Sequence, residues 1–413
     1  MLLQRLVVLT VVIGFCANGI AAQTPADSLP KPPTATPAVP HSAKWYEKIS
    51  LRGYAQFRYN RLLETNPDLR CEQCDKSIGR NQGFYFRRAR IVFSGQINPR
   101  FFAYLQFDYS ADASSSSKHF LQVRDAYFDY AFDKDQTMRI RIGQSKVPYG
   151  FENLQSSSQR LPFDRADALN SGAPNERDLG VTAYYAPKKI RNRFKYLVEE
   201  GLKGSGDYGI AGFGLYNGQS ANRPEANDNL HMVARVSYPF QLKNGQIIEP
   251  GLQAYSGRFT LAKDQLSAGV KYRKDATYTD RRVAASFVVY PQPFGIQAEY
   301  NWGESPSFDA ATDSIRLHEL HGGYVTLSWR TAISPKFKIQ PFVRLQTYDG
   351  AKKHETDART YEVRETEIGV EWPVNKNLEL TLAYMISHRK YQDFTTDYDE
   401  RGQLLRVQVQ ANY

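Results

Sequence analysis

The chain is poor in the features that mark most membrane-spanning and metal-binding proteins. Only three Cys and four Met occur among 413 residues. Cys71 and Cys74 form a lone CxxC, and no second pair exists to complete a four-thiolate zinc site. Beyond the first two dozen residues no stretch approaches the roughly 18 apolar residues of a membrane-crossing helix, so helices cannot carry the body of the chain through a bilayer. No recognisable nucleophile motif accompanies the seven His, which excludes the usual serine or cysteine hydrolase arrangement and predicts a protein that is not an enzyme. The body shows no break in composition between Lys48 and Tyr413, so one large domain is expected rather than two.

What is present is aromatic and basic. Tyr (27) and Phe (23) are abundant, yet the mean hydropathy is −0.54, as it is in a β-barrel whose strands each keep one face in water. Lys and Arg outnumber Asp and Glu by 53 to 43, a net charge of +10. In a cytoplasmic protein that balance would suggest nucleic acid. Here an export leader precedes everything: basic Met1–Arg5, apolar Leu6–Phe15, and small residues Ala17–Ala22 that suit cleavage near Ala22. Residues 1–22 are therefore expected as a signal peptide. Phe15 stands where a lipoprotein signal needs a small residue, so Cys16 is not read as a lipid anchor. Residues 23–44 are Pro-rich and almost without apolar bulk, which predicts a periplasmic linker. Nucleic acid is not an expected partner, and the charge is assigned to small anions or to the anionic outer leaflet with its lipopolysaccharide.

Residues 45–413 carry the strand signal. Leu405, Val407, Val409, Ala411 and Tyr413 alternate with Arg406, Gln408, Gln410 and Asn412, so one face is apolar and the other polar. The same alternation puts Phe337, Ile339, Pro341, Val343 and Leu345 outward, with Lys338, Gln340, Phe342, Arg344 and Gln346 inward. It recurs in Leu378, Leu380, Leu382, Tyr384 and Ile386 against Glu379, Thr381 and Ala383. Short breaks near Asn98, Asp133, Pro187–Asn192, Asn244, Pro291–Pro293, Pro335 and Pro373–Asn377 alternate with longer polar segments. Those segments lie at about 60–81, 111–118, 149–178, 217–227, 262–280, 303–316, 349–360 and 390–401. The alternation predicts an all-β fold, a transmembrane antiparallel β-barrel of about 16 strands with short periplasmic turns and long outer loops. Arg193 to Tyr216 is read as one long strand kinked at Gly201–Gly206.

The same pattern sends charge into the lumen. Ala89, Ile91, Phe93 and Ile97 leave Arg88, Arg90, Ser94 and Gln96 opposite; Met138, Ile140 and Ile142 leave Arg139, Arg141 and Ser145 opposite. Two readings stand side by side. The arginines either form ordinary lumen ion pairs, for example with Asp108, Asp125 or Asp129, or line an anion pathway. For the CxxC, a structural disulfide in an exposed loop is preferred over a redox pair, because Glu72 and Asp75 would raise a thiol pKa. Gly204–Gly209 fits GxGxxG without the strand-turn-helix setting that a dinucleotide site needs, and His318 and His321 fall on opposite faces of a strand. No metal or cofactor is expected.

Several motifs together resemble a known family. Phe86-Arg87-Arg88-Ala89-Arg90-Ile91, Asp125-Ala126-Tyr127, Arg141 through Glu152 and Glu176-Arg177-Asp178-Leu179-Gly180 are similar in order and spacing to the phosphate-selective porin O and P family. The resemblance implies an outer-membrane porin of a Gram-negative bacterium, usually a homotrimer, with its third loop folded into the lumen and an arginine-rich path for phosphate or polyphosphate. Position by position it points to Arg88, Arg90, Arg141 and Lys146 as anion contacts, to which the strand pattern adds Arg139. It also matches 149–178 to the inserted loop. That loop sets Arg160, Arg165 and Arg177 against Glu152, Asp164, Asp167, Glu176 and Asp178, a net acidic constriction facing a basic wall. The expected function is passive diffusion of small solutes, with anions preferred. A general or sugar-selective porin using lumen aromatics such as Phe102, Tyr104, Phe342 and Tyr348, or a nonconducting adhesion barrel, is the alternative.

Overall fold

A computed structural model describes residues 44–69, 71, 78, 83–110, 120–335 and 337–413. The expected signal peptide, nearly all of the linker and Cys74 lie outside the described residues. The strands are β1 (Ile49–Leu62), β2 (Tyr85–Asn98), β3 (Phe101–Ser110), β4 (Phe120–Ala131), β5 (Met138–Lys146), β6 (Arg177–Tyr185) and β7 (Ala211–Tyr216). They continue with β8 (His231–Ser237 and Phe240–Gln241), β9 (Ile247–Thr260), β10 (Thr277–Val289), β11 (Phe294–Asp309) and β12 (Ser314–Trp329 and Thr331–Ser334). Last come β13 (Phe337–Ala351), β14 (Thr360–Pro373), β15 (Leu378–Gln392) and β16 (Asp397–Asn412). The two pieces of β8 both pair with β9, and the two pieces of β12 both pair with β13. In β8 the interruption falls at Pro239, which has no N–H to give to the ladder.

Each strand pairs antiparallel with its neighbours, and β1 pairs with both β2 and β16, so the sheet closes on itself. Sixteen strands among the described residues match the expected barrel. Alternation decides which way each side chain points. On β13 Val343 and Leu345 are 39% and 56% exposed, while Phe342 and Arg344, which alternate with them, are each 2% exposed. The outward row recurs around the ring in Ile91, Phe93, Leu105, Ile142, Leu327 and Leu382. An apolar surface of this extent is far larger than water tolerates on a soluble monomer, and it meets hydrocarbon instead. Near the short turns aromatic side chains take over, with Tyr130 beside Phe132, Tyr238 beside Phe240 and Phe294 beside Trp329. They form the girdle expected at a membrane interface.

The expected turns fall where the strands reverse, with one departure. Arg193 to Tyr216 is not a kinked strand: Lys188–Glu199 is a helix, α3, and only Ala211–Tyr216 is extended. The signal for this was a change of period, because Ile190, Phe194 and Leu197 recur at i, i+4 and i+7 and bury one helical face. The helix stops where Gly201 takes a φ of 63°, a left-handed conformation that glycine adopts without a Cβ clash. The segments 303–316 and 390–401 also depart from expectation. Strands β11 and β12 pair as far as Asp309 and Ser314, and β15 and β16 as far as Gln392 and Asp397. Backbone pairing does not require apolar side chains, so polar strands continue past the hydrocarbon belt. Cys71 is disulfide-bonded, but it is buried beside Leu69, Ile78, Met385 and Leu404 rather than in an exposed loop.

The core lies inside the ring. The β5–β6 connection carries two one-turn helices, α1 (Phe151–Leu154) and α2 (Asp167–Asn170), and its Tyr149, Ala168 and Leu169 pack with Val233, Tyr255, Tyr324 and Tyr348 of the wall. The third loop therefore folds into the lumen.

Closure ends on the last residue. Tyr413 exchanges backbone hydrogen bonds with Gly53 at 2.7 and 3.0 Å, and its hydroxyl donates to the Arg90 carbonyl at 3.0 Å. Its ring lies where a Cβ on residue 53 would stand, 2.6 Å away. Deleting Tyr413 removes these three bonds, each worth ~1 kcal/mol, and bares the seam. Heat-modifiable electrophoretic mobility should show less folded barrel for the deletion and for Gly53→Val, with unchanged amounts contradicting this role.

Candidate functional site

The lumen wall on β1 to β6 is built from alternating inward side chains, and most of its cations are matched. Arg90 donates to the Tyr54 hydroxyl at 2.8 Å and to Asp108 at 2.9 Å. Arg141 grips Asp129 with two hydrogen bonds of 2.8 and 2.9 Å, and the Tyr127 ring lies 3.9 Å beneath its guanidinium. Arg139 bridges Asp129 and Asp207. Arg177 pairs with Asp125 and Glu176. The register explains the choices, since Arg90 lies opposite Asp108 and Arg141 opposite Asp129 on neighbouring strands. Lys146 points at the loop instead, donating to the carbonyls of Leu154 and Gln155 at 2.7 Å each.

The third loop is held from both sides of the ring. Asp164 meets Arg58 of β1, Arg406 of β16 and Arg87 of β2. Asp167 meets Arg389 and Lys352, and Glu152 meets Arg344. Glu176 meets Arg165 and Arg177. Backbone groups of the loop add to this: Phe151 and Glu152 donate to Glu299, Phe163 to Glu367 and Asp167 to Gln346. Four carboxylates that looked like an acidic face are thus paired off against arginines and lysine. The net acidic constriction expected from the sequence is therefore largely neutralised by these pairs.

Two guanidinium groups are not matched in this way. Arg88 is 3% exposed and its Nε and Nη1 find no hydrogen-bond acceptor. Arg160 of the loop is 6% exposed, with Nε and Nη1 likewise unmatched and a single 3.4 Å contact to the Phe163 carbonyl. Neither makes an ion pair among the described residues. Arg87, Arg90 and Arg160 all act electrostatically on Arg88, while Glu152, Asp164 and Glu176 act on Arg160 from beyond ion-pair distance. A buried guanidinium whose N–H donors find no acceptor carries a desolvation cost of several kcal/mol in general.

Of the residues expected to contact anions, Arg90, Arg139, Arg141 and Lys146 line one cavity of about 380 Å³ together with Arg52 and a tyrosine row. Arg88 is not part of that cavity and lies within electrostatic reach of Arg160. Arg160, Arg58, Arg389 and Arg406 were not among the expected contacts. The strand period placed Arg406 on the polar face, whereas the position of Arg160 depends on how the loop folds and has no signal in sequence spacing.

A family model described as phosphate-selective porin O and P matches residues 66–413. No curated protein sequence matches the chain. Among solved structures, the outer membrane channel DcaP of Acinetobacter baumannii is similar with a TM-score of 0.55 at 13% identity, over 88% of this chain and 97% of that one. Salmonella typhi OmpF, in complex with daunomycin, gives 0.52 at 14% identity over 88% and 97%. An anion-selective porin from Comamonas acidovorans gives 0.51 at 9% over 88% and 99%. These likenesses concern the fold.

The loop anchors fix a pH dependence. Burial opposes ionisation of Asp164, Asp167 and Glu176, but Arg406 with Arg58, Arg389 with Lys352, and Arg165 with Arg177 hold the three carboxyls below the usual carboxylate range. Carboxyls depressed on folding contribute docking energy that is complete above their unfolded value of about 4 and is lost as pH falls through the lower folded value. The contribution of these three carboxyls to single-channel conductance, read as the difference between wild type and Asp164→Asn, should stay level from about pH 8 to 5 and change only in stronger acid. A step in that difference between pH 5 and 7 would contradict these three anchors.

Proposed function

The chain belongs to the phosphate-selective porin O and P family, outer-membrane barrels of Gram-negative cells, and from that membership we propose that this porin prefers anions, with phosphate-class solutes as its substrates. The observation that carries the reading is the pair Arg88 and Arg160, two buried guanidinium groups with free N–H donors and no carboxylate partner among the described residues. Guanidinium stays charged at any physiological pH and matches phosphate oxygens two at a time. The paired arginines do different work in this reading. Arg90, Arg139 and Arg141 are held rigid by Asp108, Asp129 and Asp207 and give the wall its shape and residual potential, while Lys146 keeps the loop edge in place.

The cations on the far side add no unmatched charge, because Lys352 is paired with Asp167 and Lys353 with Asp280. Assembly as a homotrimer, contact of the outward belt with lipid and lipopolysaccharide, and export by residues 1–22 belong to the same proposal. Crosslinking followed by mass measurement counts the subunits.

Reversal potentials across a potassium chloride gradient test the preference. The wild-type channel should favour chloride, and Arg88→Gln with Arg160→Gln should lower the anion-to-cation permeability ratio about tenfold, which corresponds to ~1.4 kcal/mol. Added phosphate should reduce chloride current in the wild type and much less in the double variant. A cation-selective wild type overturns the reading.

A further inference from the structure

In a barrel porin the periplasmic turns are short, and six of the seven here obey the rule. The β6–β7 connection, 186–210, does not. It turns inward, and its helix α3 buries Ile190, Phe194 and Leu197 against Phe151 of the third loop and against Ile247, Val288 and Tyr290 of the wall. Beyond the helix the chain runs on across the lumen. Lys203 donates to both carboxylate oxygens of Glu371 at 2.6 and 2.7 Å. Glu371 lies on β14, which is seven strands from β7 and eight from β6 in a ring of sixteen, so the pair joins opposite sides of the barrel.

The crossing is tied at three further points. Gln155 of the third loop donates to the Lys203 carbonyl at 2.6 Å. Asp207 is held by Arg139 of β5 and by Arg191 of α3, and Arg235 of β8 donates to the Gly209 carbonyl at 2.9 Å. Gly204 passes so close to the helix that a Cβ there would lie 2.9 Å from that of Leu197. The space below the constriction is thereby parted. On one side lies the arginine and tyrosine cavity of about 380 Å³, walled by Gly204–Tyr208; on the other lies a cavity of about 700 Å³ between Lys203, Arg330, Lys338, Glu371 and Glu379.

We propose that the β6–β7 connection is a plug in the periplasmic exit, that it divides the exit into two bores of different charge, and that the Lys203–Glu371 ion pair latches it in place. Because both partners are buried, losing one strands the other's charge in the lumen, and the free end of the connection has no remaining bond to β14. The plug also props the third loop through Phe151 and Gln155, so it limits flow both directly and by keeping the constriction narrow.

The proposal rests on the reading of the protein as a channel, and the experiment separates the two. Full mature protein is reconstituted in planar bilayers, and Lys203→Glu is compared with wild type and with the charge swap of Lys203→Glu and Glu371→Lys. Heat-modifiable mobility verifies folding of each. Lys203→Glu should raise single-channel conductance about twofold and raise the size of neutral polyethylene glycol admitted from the periplasmic side; the swap should return both toward wild type. As a second variant, replacing 189–203 by a short Asn-Gly turn should raise conductance at least as much. A conducting wild type whose conductance neither variant alters overturns the plug and leaves the channel reading intact. Silence of wild type and variants together overturns both. A silent wild type that conducts once 189–203 is replaced supports a plug that closes the pore outright.

Discussion

The interior of this barrel depends on charge pairing between one loop and its wall. A closed ring of sixteen strands leaves a wide polar lumen, and the backbone alone does nothing to narrow it. What narrows it is a loop whose Glu152, Asp164, Asp167 and Glu176 each meet a fixed cation: Arg344, Arg58 with Arg406, Arg389 with Lys352, and Arg165 with Arg177. These groups are almost fully buried, so each pair is screened little by salt, and breaking one leaves a stranded charge rather than a solvated one. The pairing explains both the position of the loop and the electrostatics left over. Once these acids are paired, Arg88 and Arg160 are left with N–H donors unmatched and no ion pair among the described residues.

How far this was legible in the sequence follows from the range of each interaction. Alternation is a period-two signal carried by adjacent residues, and it placed Val343 and Leu345 outward and Phe342 and Arg344 inward before any geometry was known. Turns depend on a few local residues, and those at Asn98, Asn244 and Pro335 fall where the strands reverse. Helix α3 was missed although its signal was equally local, because Ile190 fell in an expected turn while Phe194 and Leu197 fell in an expected strand, which split the helical period between two elements. The limits of β11, β12, β15 and β16 were drawn too short for another reason, since polarity reports the membrane edge and not the end of pairing.

Arginine partners divide along the same line. Arg90 with Asp108 and Arg141 with Asp129 are neighbours across adjacent strands, so candidate partners could be named from strand order. Arg58 with Asp164, Arg389 with Asp167 and Lys203 with Glu371 join residues more than a hundred positions apart through the lumen. Nothing in local spacing encodes such contacts. Of the cations now at the centre of the site, Arg88 was visible because it lies on a strand, and Arg160 was not because its place depends on a loop path set by those distant pairs.

The seam between β1 and β16 has a bearing on the order in which the protein can assemble. Tyr54 lies opposite Asn412, so the first strand must wait for the last before the edge disappears, and joining ends this far apart costs ~5 kcal/mol in chain entropy. Hairpins between consecutive strands carry no such cost and can form earlier. Arg389 and Arg406, however, sit on the two final strands. The loop therefore gains its last anchors only when those strands arrive, and a chain stopped short of them would lack its closing edge and the residues that set its bore in one event. A change in the last two strands thus acts at once on whether the barrel forms and on what passes through it.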